Sequence, residues 1–568
     1  MHLASCFKQF IDELSYLSIV YNELVWFTFV FLSSISLMQV YTVPLEATQQ
    51  FSSLVLDYIN GDEFLKGFYS YSPVLKSYEE KILERIQVDT NREVLVDGLK
   101  EQYSLLNSPV GSKVNQNLGL LSNKNTFTIT TGHQLNLMTG PLYSIYKILT
   151  VIKITEILSE KFPQYKFIPV FWMASEDHDI DEIDHLFVKS RKYEWKTSDA
   201  GAAGRLSTNS LSELFSEMKT QAPELELSLL FNSMEKAYLS HDNLAKATFE
   251  VINSLFGEYG LVVIDADRLS FKKLLLDEFK ADLLDEKVHG QVTHANTQLS
   301  KKYKLLVNPR EINLFYLLKN QRERIVKNES NEYVVQNTDI KFSQKEILEE
   351  LNNHPDRFSP NVIMRTIYQE KLLPNLSYVG GPGEISYWLQ FKSAFKKLSI
   401  PYPILQLRCG FVLIDKKGQK LRKQLNLEYN DLFQDINILI ENSIVDKSKL
   451  LNFEQVEEQI RKVYEAIELI GSDIDKSLVY PIRGECQKSV NSVSKLQKKF
   501  IRALKRKDDK AISRLHELQK QLFPNGVFQE RLQNILTFSS IDHQKLIEVL
   551  YNNTEPFSKD LKIIELDE

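Results

Sequence analysis

The chain has 568 residues, of which 43% are hydrophobic and 25% are charged. This length exceeds one ordinary core, so we expect about two or three domains. The 69 basic and 75 acidic side chains give a formal charge of −6, which excludes binding of nucleic acid or anionic membranes through overall charge. The cysteines (Cys6, Cys409 and Cys486) are far apart, which argues against a disulfide framework or a zinc-cysteine site and fits a reducing cytosol.

An uncharged apolar segment covers residues 24–38. It is shorter than the roughly 20 residues of a membrane-spanning helix, and no signal-peptide cleavage pattern follows it. The alternatives are a membrane anchor, a structured extension and a mis-assigned start site. We favour the last, because the sequence from Met38 reads like the start of a soluble domain. Residues 1–37 are therefore predicted to be an extension.

Strand and helix patterns alternate through residues 38–445, which we predict to be one core domain. A parallel α/β sheet is indicated, and such sheets bind ligands beyond the carboxyl ends of their strands. Two insertions, about 189–258 and 269–360, are predicted to be largely helical, with a mixed segment around 303–333. Strands are predicted at 126–130, 167–173, 260–265 and 403–407, and an apolar helix at 141–158.

Residues 446–522 are rich in Lys, Glu, Gln and Leu and predict a pair of long amphipathic helices in a coiled coil. Tyr480-Pro481 and Gly484 are expected to interrupt the helical stretch. Residues 523–568 are predicted to return to the core. The apolar positions at three-four spacing are Val493, Leu496, Phe500, Ile512, Leu515, Leu518 and Leu522.

The first candidate site segment joins a strand to a helix at Gly132, His133 and Gln134. Free backbone N–H groups and the positive end of a helix dipole favour an anion at such a junction. The pattern is not a phosphate-binding P-loop, because no Gly-Lys-Ser/Thr follows at the required spacing. A Gly turn with a capping Thr is the structural alternative.

The second segment places Glu176, Asp177 and His178 just after a predicted strand. A carboxylate could orient His178 as a general base, or the group could recognise an amine. Like charges this close repel, so a fully solvated helix start is the structural alternative. A metal site from His178, His185 and carboxylates would be a further alternative, but we expect no metal because the spacing matches no helical ligand pair.

The third segment contains Gly381, Gly383 and Glu384, followed by Tyr387. Glycines at close spacing let the backbone approach a ligand, and the aromatic residue could line a pocket. A tight turn that packs a helix on the sheet is the alternative.

Two weaker segments supply candidate substrate-binding residues. Asn361 leads to Arg365, a candidate carboxylate clamp, and Arg408 follows the strand predicted at 403–407. A helix-start turn with a surface arginine is the alternative for Arg365. Cys409 is interpreted as a small buried side chain, because no adjacent base is implied.

Several long motifs, in order, resemble the bacillithiol biosynthesis cysteine-adding enzymes. They are TGHQLNLMTGPLYSIYKI, PVFWMASEDHDIDEIDH, FSPNVIMRTIYQE, LPNLSYVGGPGEISYW and LFPNGVFQERLQN. The resemblance covers residues 40 to the C-terminus. It implies a Rossmann-like core with inserted segments like those of class I aminoacyl-tRNA synthetases. It also implies a coiled coil used for homodimerisation.

The same resemblance implies a cytoplasmic ligase that adds L-cysteine to glucosaminyl-malate in the last step of bacillithiol synthesis. Because joining a carboxylate to an amine in water is uphill, activation is required, most simply adenylation by ATP or by another activating nucleotide. Asp177 or His178 could then deprotonate the amine, with Arg365 or Arg408 gripping a malate carboxylate. The residues that the motifs carry into the pocket are Gly132, His133, Gln134, Glu176, Asp177, His178, Gly381, Gly383 and Glu384. A metal-dependent hydrolase or amidase and a coiled-coil assembly scaffold are the alternative functions.

Overall fold

The structure is a computed structural model that describes residues 39–285, 287–445, 453–507 and 509–567. The extension predicted over residues 1–37, with most of its apolar segment, lies outside these ranges. Within them, the hydropathy and length of every helix fall short of what a membrane span needs.

In the described part of the chain, the strands form two five-stranded sheets, one three-stranded sheet and one two-stranded hairpin. In chain order they are β1 (Val40–Pro44), β2 (Thr126–His133), β3 (Lys166–Met173), β4 (His185–Val188), β5 (Arg191–Glu194), β6 (Val262–Asp265), β7 (Leu314–Leu318), β8 (Gln321–Lys327), β9 (Tyr333–Val335), β10 (Lys341–Phe342), β11 (Phe358–Pro360), β12 (Asn375–Gly380), β13 (Ile404–Leu407), β14 (Phe411–Ile414) and β15 (Asp560–Glu565).

Helices cover both faces of the central sheet and build the inserted and C-terminal parts. In chain order they are α1 (Ser53–Asn60), α2 (Ser77–Ile86), α3 (Arg92–Tyr103), α4 (Ser112–Leu120), α5 (Leu142–Lys161), α6 (Ile180–Ile183), α7 (Leu211–Gln221), α8 (Leu229–Ser240), α9 (Leu244–Phe256), α10 (Leu269–Lys272), α11 (Leu276–Asp285), α12 (Lys287–Leu299), α13 (Gln344–Asn353), α14 (Val362–Leu372), α15 (Pro382–Trp388), α16 (Lys392–Lys397), α17 (Lys416–Leu425), α18 (Ile436–Val445), α19 (Phe453–Ile474), α20 (Val479–Lys507), α21 (Asp509–Leu522), α22 (Gln529–Leu532) and α23 (His543–Asn552).

The central sheet is parallel throughout, in the order β13-β12-β2-β3-β6. The first strand of this sheet along the chain, β2, lies between β3 and β12. The later strands add on one side of it as β3 and β6 and then on the other side as β12 and β13. Such a switch point is where parallel α/β sheets bind ligands. The parallel sheet predicted from the sequence is therefore confirmed.

The helix after β2 shows why the sheet is buried. Pro141 precedes its first residue, and its side chains are apolar almost all round. A helix of this kind must be covered on more than one side. It packs on β2 and β3 and is covered by α22 and α23, which belong to the C-terminal segment.

The four predicted strands are present as β2, β3, β6 and β13, but β12 was missed and interpreted only as a Gly-rich loop. The buried polar residues of β12 interrupt the apolar pattern by which a buried strand is recognised in a sequence. Asn375 accepts hydrogen bonds from the hydroxyls of Thr128 and Thr130 on β2, at 3.1 and 2.8 Å. Its amide donates to Glu370 at 2.7 Å. Partnered in this way, a polar side chain is tolerated in a buried strand.

The second inserted region was expected to be largely helical, and here the prediction was wrong in part. After α12 the chain forms an antiparallel sheet in the order β10-β9-β8-β7-β11. The short strands are interrupted by turns and carry charged residues, such as the QRERIVK of β8, so their alternation is weak. The predicted domain boundaries stay predictions.

The C-terminal segment returns to the core, where β15 lies between β1 and β14. A buried ion pair fixes the segment. Arg408, just after β13, donates to both carboxylate oxygens of Glu530 in α22, at 2.8 and 2.5 Å. The two side chains are 3% and 2% exposed. Arg408 is therefore committed to a structural contact rather than placed to grip a ligand.

The long helices differ from the predicted pair. The hairpin consists of α19 and α20, which run antiparallel: Tyr464 bonds Ser489 at 2.9 Å and Ser494 bonds Glu457 at 2.7 Å. Helix α20 continues through Pro481 and Gly484, because a proline in the first turn removes no helical hydrogen bond.

The predicted apolar run near the end of the coiled coil belongs to a separate helix, α21. Leu515, Leu518 and Leu522 of α21 are buried. The helix packs against α17, α18 and β14, so these leucines serve the body of the protein and not the hairpin.

We predict that Glu530→Gln destabilises the protein strongly. The substitution leaves the Arg408 guanidinium buried without a counter-charge, at an expected cost of roughly 3–5 kcal/mol. Unfolding in urea should begin at lower concentration than in the wild type. Glu468→Gln is the matched control, because Glu468 pairs with the exposed Arg483 on the hairpin and its loss should change little.

Replacing both partners, as Arg408→Met with Glu530→Leu, should recover most of the lost stability, because no buried charge remains. Equal unfolding of Glu530→Gln and wild type would contradict a structural role for this pair.

Candidate functional site

A cavity of about 580 Å³ opens at the carboxyl ends of β2, β3 and β12. One wall comes from the central sheet and the other from the inserted antiparallel sheet. The sequence-predicted residues that line it are Gly132, His133, Gln134, Glu176, Asp177, His178, Asn361, Arg365, Glu384 and Tyr387. Gly381, Gly383 and Arg408 are not among the lining residues.

A buried lysine lies at the floor of the cavity. Lys147 of α5 contacts the carbonyl oxygen of Gly132 at 2.6 Å and the Glu384 carboxylate at 2.6 Å. Glu384 also accepts hydrogen bonds from the Tyr378 hydroxyl at 2.5 Å and from the N–H of Gly381 at 2.8 Å. Gly381 thus acts through Glu384, as the residue before α15, and not by approaching a ligand.

These contacts set the charge of the floor. Burial favours the neutral form of Glu384, but Lys147 and the Gly381 N–H outweigh it and lower the pKa of that carboxyl group. Burial lowers the pKa of Lys147, although Glu384 opposes this. We interpret the two as an ion pair, because a carboxylate with three donors stays ionised and holds the ammonium beside it.

His133 lies on the same side of the cavity and is electrically neutral. Burial lowers its pKa to about 3, and the nearby Lys147 adds to the effect. Its Nε2 is buried and has no hydrogen-bond partner among the described residues. The ring packs edge-on against Tyr143, with centroids 5.2 Å apart.

The acidic segment after β3 divides into two groups. In the first, the Gln134 amide donates to Asp177 at 2.8 Å and to Glu182 at 2.7 Å. The Asp177 side chain is 31% exposed and faces the cavity. It is therefore held in place, yet open to a ligand.

In the second group, Glu176 is buried against Lys272, which also lies 3.1 Å from Asp267. Arg205 forms a two-pronged contact with Asp267 at 2.8 and 2.9 Å. Burial raises the pKa of Glu176, with Lys272 opposing. Burial likewise opposes ionisation of Asp267, but Lys272 and Arg205 together lower its pKa. Asp267 thus contacts two cations and Glu176 only one of them, so Glu176 is the less ionised of the two carboxyl groups.

The His178 ring makes no hydrogen bond to the Asp177 carboxylate, which the sequence suggested would orient it. Its Nδ1 lies 3.7 Å from Asp177 Oδ1, which accepts the backbone N–H of His178 instead, at 2.8 Å. The ring contacts Arg322 of β8, whose Nη1 is 2.9 Å from Nδ1. Burial and Arg322 lower the pKa of His178. His185 pairs with Asp184 and is not among the cavity-lining residues.

Three arginines of the cavity wall, Arg310, Arg324 and Arg365, have no carboxylate within 4.0 Å in the described part of the chain. Burial disfavours the Arg365 cation, but Tyr378, Tyr387 and Glu384 nearby raise its pKa overall. The cavity therefore presents unpaired positive charge, which favours an anionic ligand.

Asn361 has a structural task as well. Its side chain caps α14 by accepting from the N–H groups of Ile363 and Met364, and it donates to Asn313 at 2.9 Å. Across residues 39–285, 287–445, 453–507 and 509–567, no group of three or more His, Cys, Asp and Glu side chains is arranged to hold a metal ion.

Sequence reasoning missed Lys147, Lys272 and Arg322. A signal existed for Lys147, because a single lysine interrupts the apolar run LYSIYKILT. A charged residue in such a helix must be paired inside the protein. Nothing comparable marks Arg322, which lies in a strand rich in charge.

Comparison with known proteins agrees with this architecture. Residues 38–409 match the family described as "Bacillithiol biosynthesis BshC, N-terminal Rossmann-like domain". Residues 411–566 match "Bacillithiol biosynthesis BshC, C-terminal coiled-coil domain". A crystal structure described as a "putative arginyl T-RNA synthetase" from Campylobacter jejuni matches 78% of this chain and 98% of its own, at 11% identity and with a TM-score of 0.22.

Three relatives share the name "Putative cysteine ligase BshC". The protein of Flavobacterium psychrophilum is 39% identical over 523 residues, covering 91% of this chain and 97% of the relative. That of Flavobacterium johnsoniae is 40% identical over 532 residues, covering 92% and 99%. That of Bacillus cytotoxicus is 26% identical, covering 87% and 93%. The chain therefore belongs to the BshC family of bacillithiol biosynthesis.

Proposed function

We propose that this chain is a ligase that forms an amide bond between the carboxyl group of L-cysteine and the amino group of glucosaminyl-malate. This would be the last step of bacillithiol synthesis. One observation carries the proposal: the cavity at the sheet's switch point combines unpaired arginines with a held, partly exposed Asp177. An acceptor that bears both malate carboxylates and an amino group matches these two features.

Charge suggests how the acceptor would be oriented. Arg365 and Tyr387 line one part of the cavity and are proposed to bind a malate carboxylate, with Asn361 beside them. Asp177, the more exposed of the two carboxyl groups, is proposed to receive the amino group, with Glu176 behind it paired to Lys272. The amine attacks only after losing a proton, and Asp177 is the open carboxylate available to accept it.

An activating nucleotide such as ATP is proposed as co-substrate, since a free carboxylate is a poor electrophile. The residues present fit a phosphate-bearing molecule. His133 Nε2 lacks a partner in the described ranges, and arginines without a carboxylate partner line the same cavity. Gly132, Gln134 and Glu384 also line the cavity, but their polar groups are engaged by Lys147 or by carboxylates. When bound, the nucleotide would supply activation of the cysteine carboxyl group. Gly381 and Gly383 would contribute only by shaping the turn that holds Glu384.

We predict that Asp177→Asn lowers the rate of amide formation by roughly a hundredfold or more, because a positioned proton acceptor is removed. Product should be measured as the thiol formed from cysteine and glucosaminyl-malate, alongside a melting curve. Asp181→Asn is the control: it removes an exposed charge of the same segment that does not line the cavity. Near-normal product formation by Asp177→Asn would remove this residue from the mechanism.

We predict that Arg365→Gln raises the KM for glucosaminyl-malate by roughly tenfold to a hundredfold, the worth of one hydrogen bond between charged groups. The effect should shrink sharply with a methyl glucosaminide acceptor, which has the amine but lacks both malate carboxylates. An equal loss with both acceptors would show that Arg365 does not bind the malate group.

We also propose that two copies of the chain associate through the helical hairpin. On α19, Val463, Ile467, Ile470 and Ile474 follow helical spacing and are 58%, 43%, 63% and 74% exposed. An apolar stripe of this kind needs a partner surface. The leucines of α21, part of the predicted dimer segment, are buried in the body and cannot contribute.

Ile467→Glu with Ile470→Glu should therefore convert a dimer to a monomer in light scattering at micromolar concentration. The hairpin itself should persist, because both side chains are already largely exposed, at 43% and 63%. Glu465→Lys changes the charge at an exposed position outside the stripe and should leave the mass of the dimer unchanged. A monomeric wild type would contradict the proposal.

A further inference from the structure

One arginine joins the inserted sheet to the acidic segment across the cavity. Arg322 lies on β8, and its side chain is buried. Each of its three nitrogens is engaged: Nε donates to the Ser359 hydroxyl at 2.9 Å, Nη2 to the carbonyl of Pro360 at 2.7 Å, and Nη1 meets His178 Nδ1 at 2.9 Å. The Phe315 ring lies 4.0 Å from the guanidinium carbon. The guanidinium therefore has one fixed orientation.

The chemistry of these two side chains settles where the imidazole proton lies. A guanidinium group has only donors, so Nδ1 of His178 must be the acceptor in this contact. In a neutral imidazole the other nitrogen, Nε2, then carries the proton. Asp177 does not compete, because its nearest oxygen is 3.7 Å from Nδ1.

The other side of the ring is open. His178 lines the cavity, its side chain is 37% exposed, and Nε2 has no hydrogen-bond partner in the described part of the chain. The charged groups that face the ring are Arg322, Asp177, Asp179 and Glu323. Burial and Arg322 prevail over the three carboxylates, so the ring stays neutral near neutral pH.

We propose that Arg322 is a positioning residue that fixes His178 as a neutral donor, with its Nε2–H directed to a ligand oxygen in the cavity. His178 is then not the general base, because a base needs a free lone pair on the nitrogen that faces the substrate. The identity of the ligand as a carboxylate-bearing substrate rests on the proposed function. The tautomer itself does not.

The tautomer can be measured directly. In protein labelled with 15N-histidine, a ring nitrogen without a proton resonates far downfield of one that carries a proton. The His178 signals are identified by their absence in His178→Gln. We expect Nδ1 to be unprotonated and Nε2 protonated in the wild type. A proton on Nδ1 would overturn the proposal, whatever the activity of the enzyme.

Substitution tests the part played by Arg322. In Arg322→Gln the ring should lose its single tautomer, and its pKa should rise toward the ordinary value for histidine. Arg191→Gln, on the exposed face of β5, is the matched control and should leave the His178 signals unchanged. Since Arg322→Gln could unfold the inserted sheet, the wild-type spectrum remains decisive alone. An unchanged tautomer in a folded Arg322→Gln protein would contradict the role of Arg322.

Activity separates a donor from a base. His178→Gln keeps a side-chain N–H near the position of Nε2 but cannot take up a proton. We expect it to retain activity within roughly tenfold of wild type, whereas His178→Ala should lose roughly a hundredfold, as for loss of one positioned donor. Equal losses in both variants would favour a base and overturn the proposal. Wild-type protein that forms no amide product would refute the proposed function but leave the tautomer result standing.

Discussion

A lysine ammonium group cut off from water joins the carboxyl ends of β2 and β12, neighbouring strands of the central sheet. Lys147 reaches the backbone of β2 at Gly132 and the carboxylate of Glu384, which follows β12. A buried cation that loses its partner is strongly destabilising, so this contact opposes separation of the two strand ends. This contact adds to the direct pairing of β2 and β12 at the switch point where the cavity opens.

The charged side chains around the cavity are of two kinds, those paired with a counter-charge and those without one in the described residues. The buried cations next to the central sheet are paired: Lys147 with Glu384, and Lys272, near the start of the second inserted region, with Glu176. The cations that lack such partners in the described residues include Arg310 and Arg324, from the inserted region. The core therefore supplies a stable floor together with Arg365 and Asp177, and the insertion adds further positive charge that a ligand would meet. Changes in the insertion could alter ligand choice at little cost to the sheet.

The sequence predicted much of the core because buried strands and amphipathic helices leave clear periodic patterns. It missed β12, since Asn375 looks unfit for a buried strand until its partners on β2 are known. Motif reasoning located the cavity but not its charge pairing. The contact between Arg322 and His178 joins residues 144 positions apart, and no local pattern encodes such a distance. For Arg408 the sequence predicted a ligand contact that the structure does not show. Its partner, Glu530, lies far along the chain, so the ion pair could not be recognised from the strand end alone.

The position of β15 has a consequence for how the protein is made. This strand, Asp560–Glu565, pairs with β1 on one side and β14 on the other, so it is the middle of its sheet although it comes last in the chain. During synthesis β1 cannot pair with β15 until residues 560–565 have left the ribosome. Contacts of such long sequence separation form slowly. The apolar face of α5, which the C-terminal helices cover, stays open for the same interval, and this is the stage at which a chaperone would have most to protect.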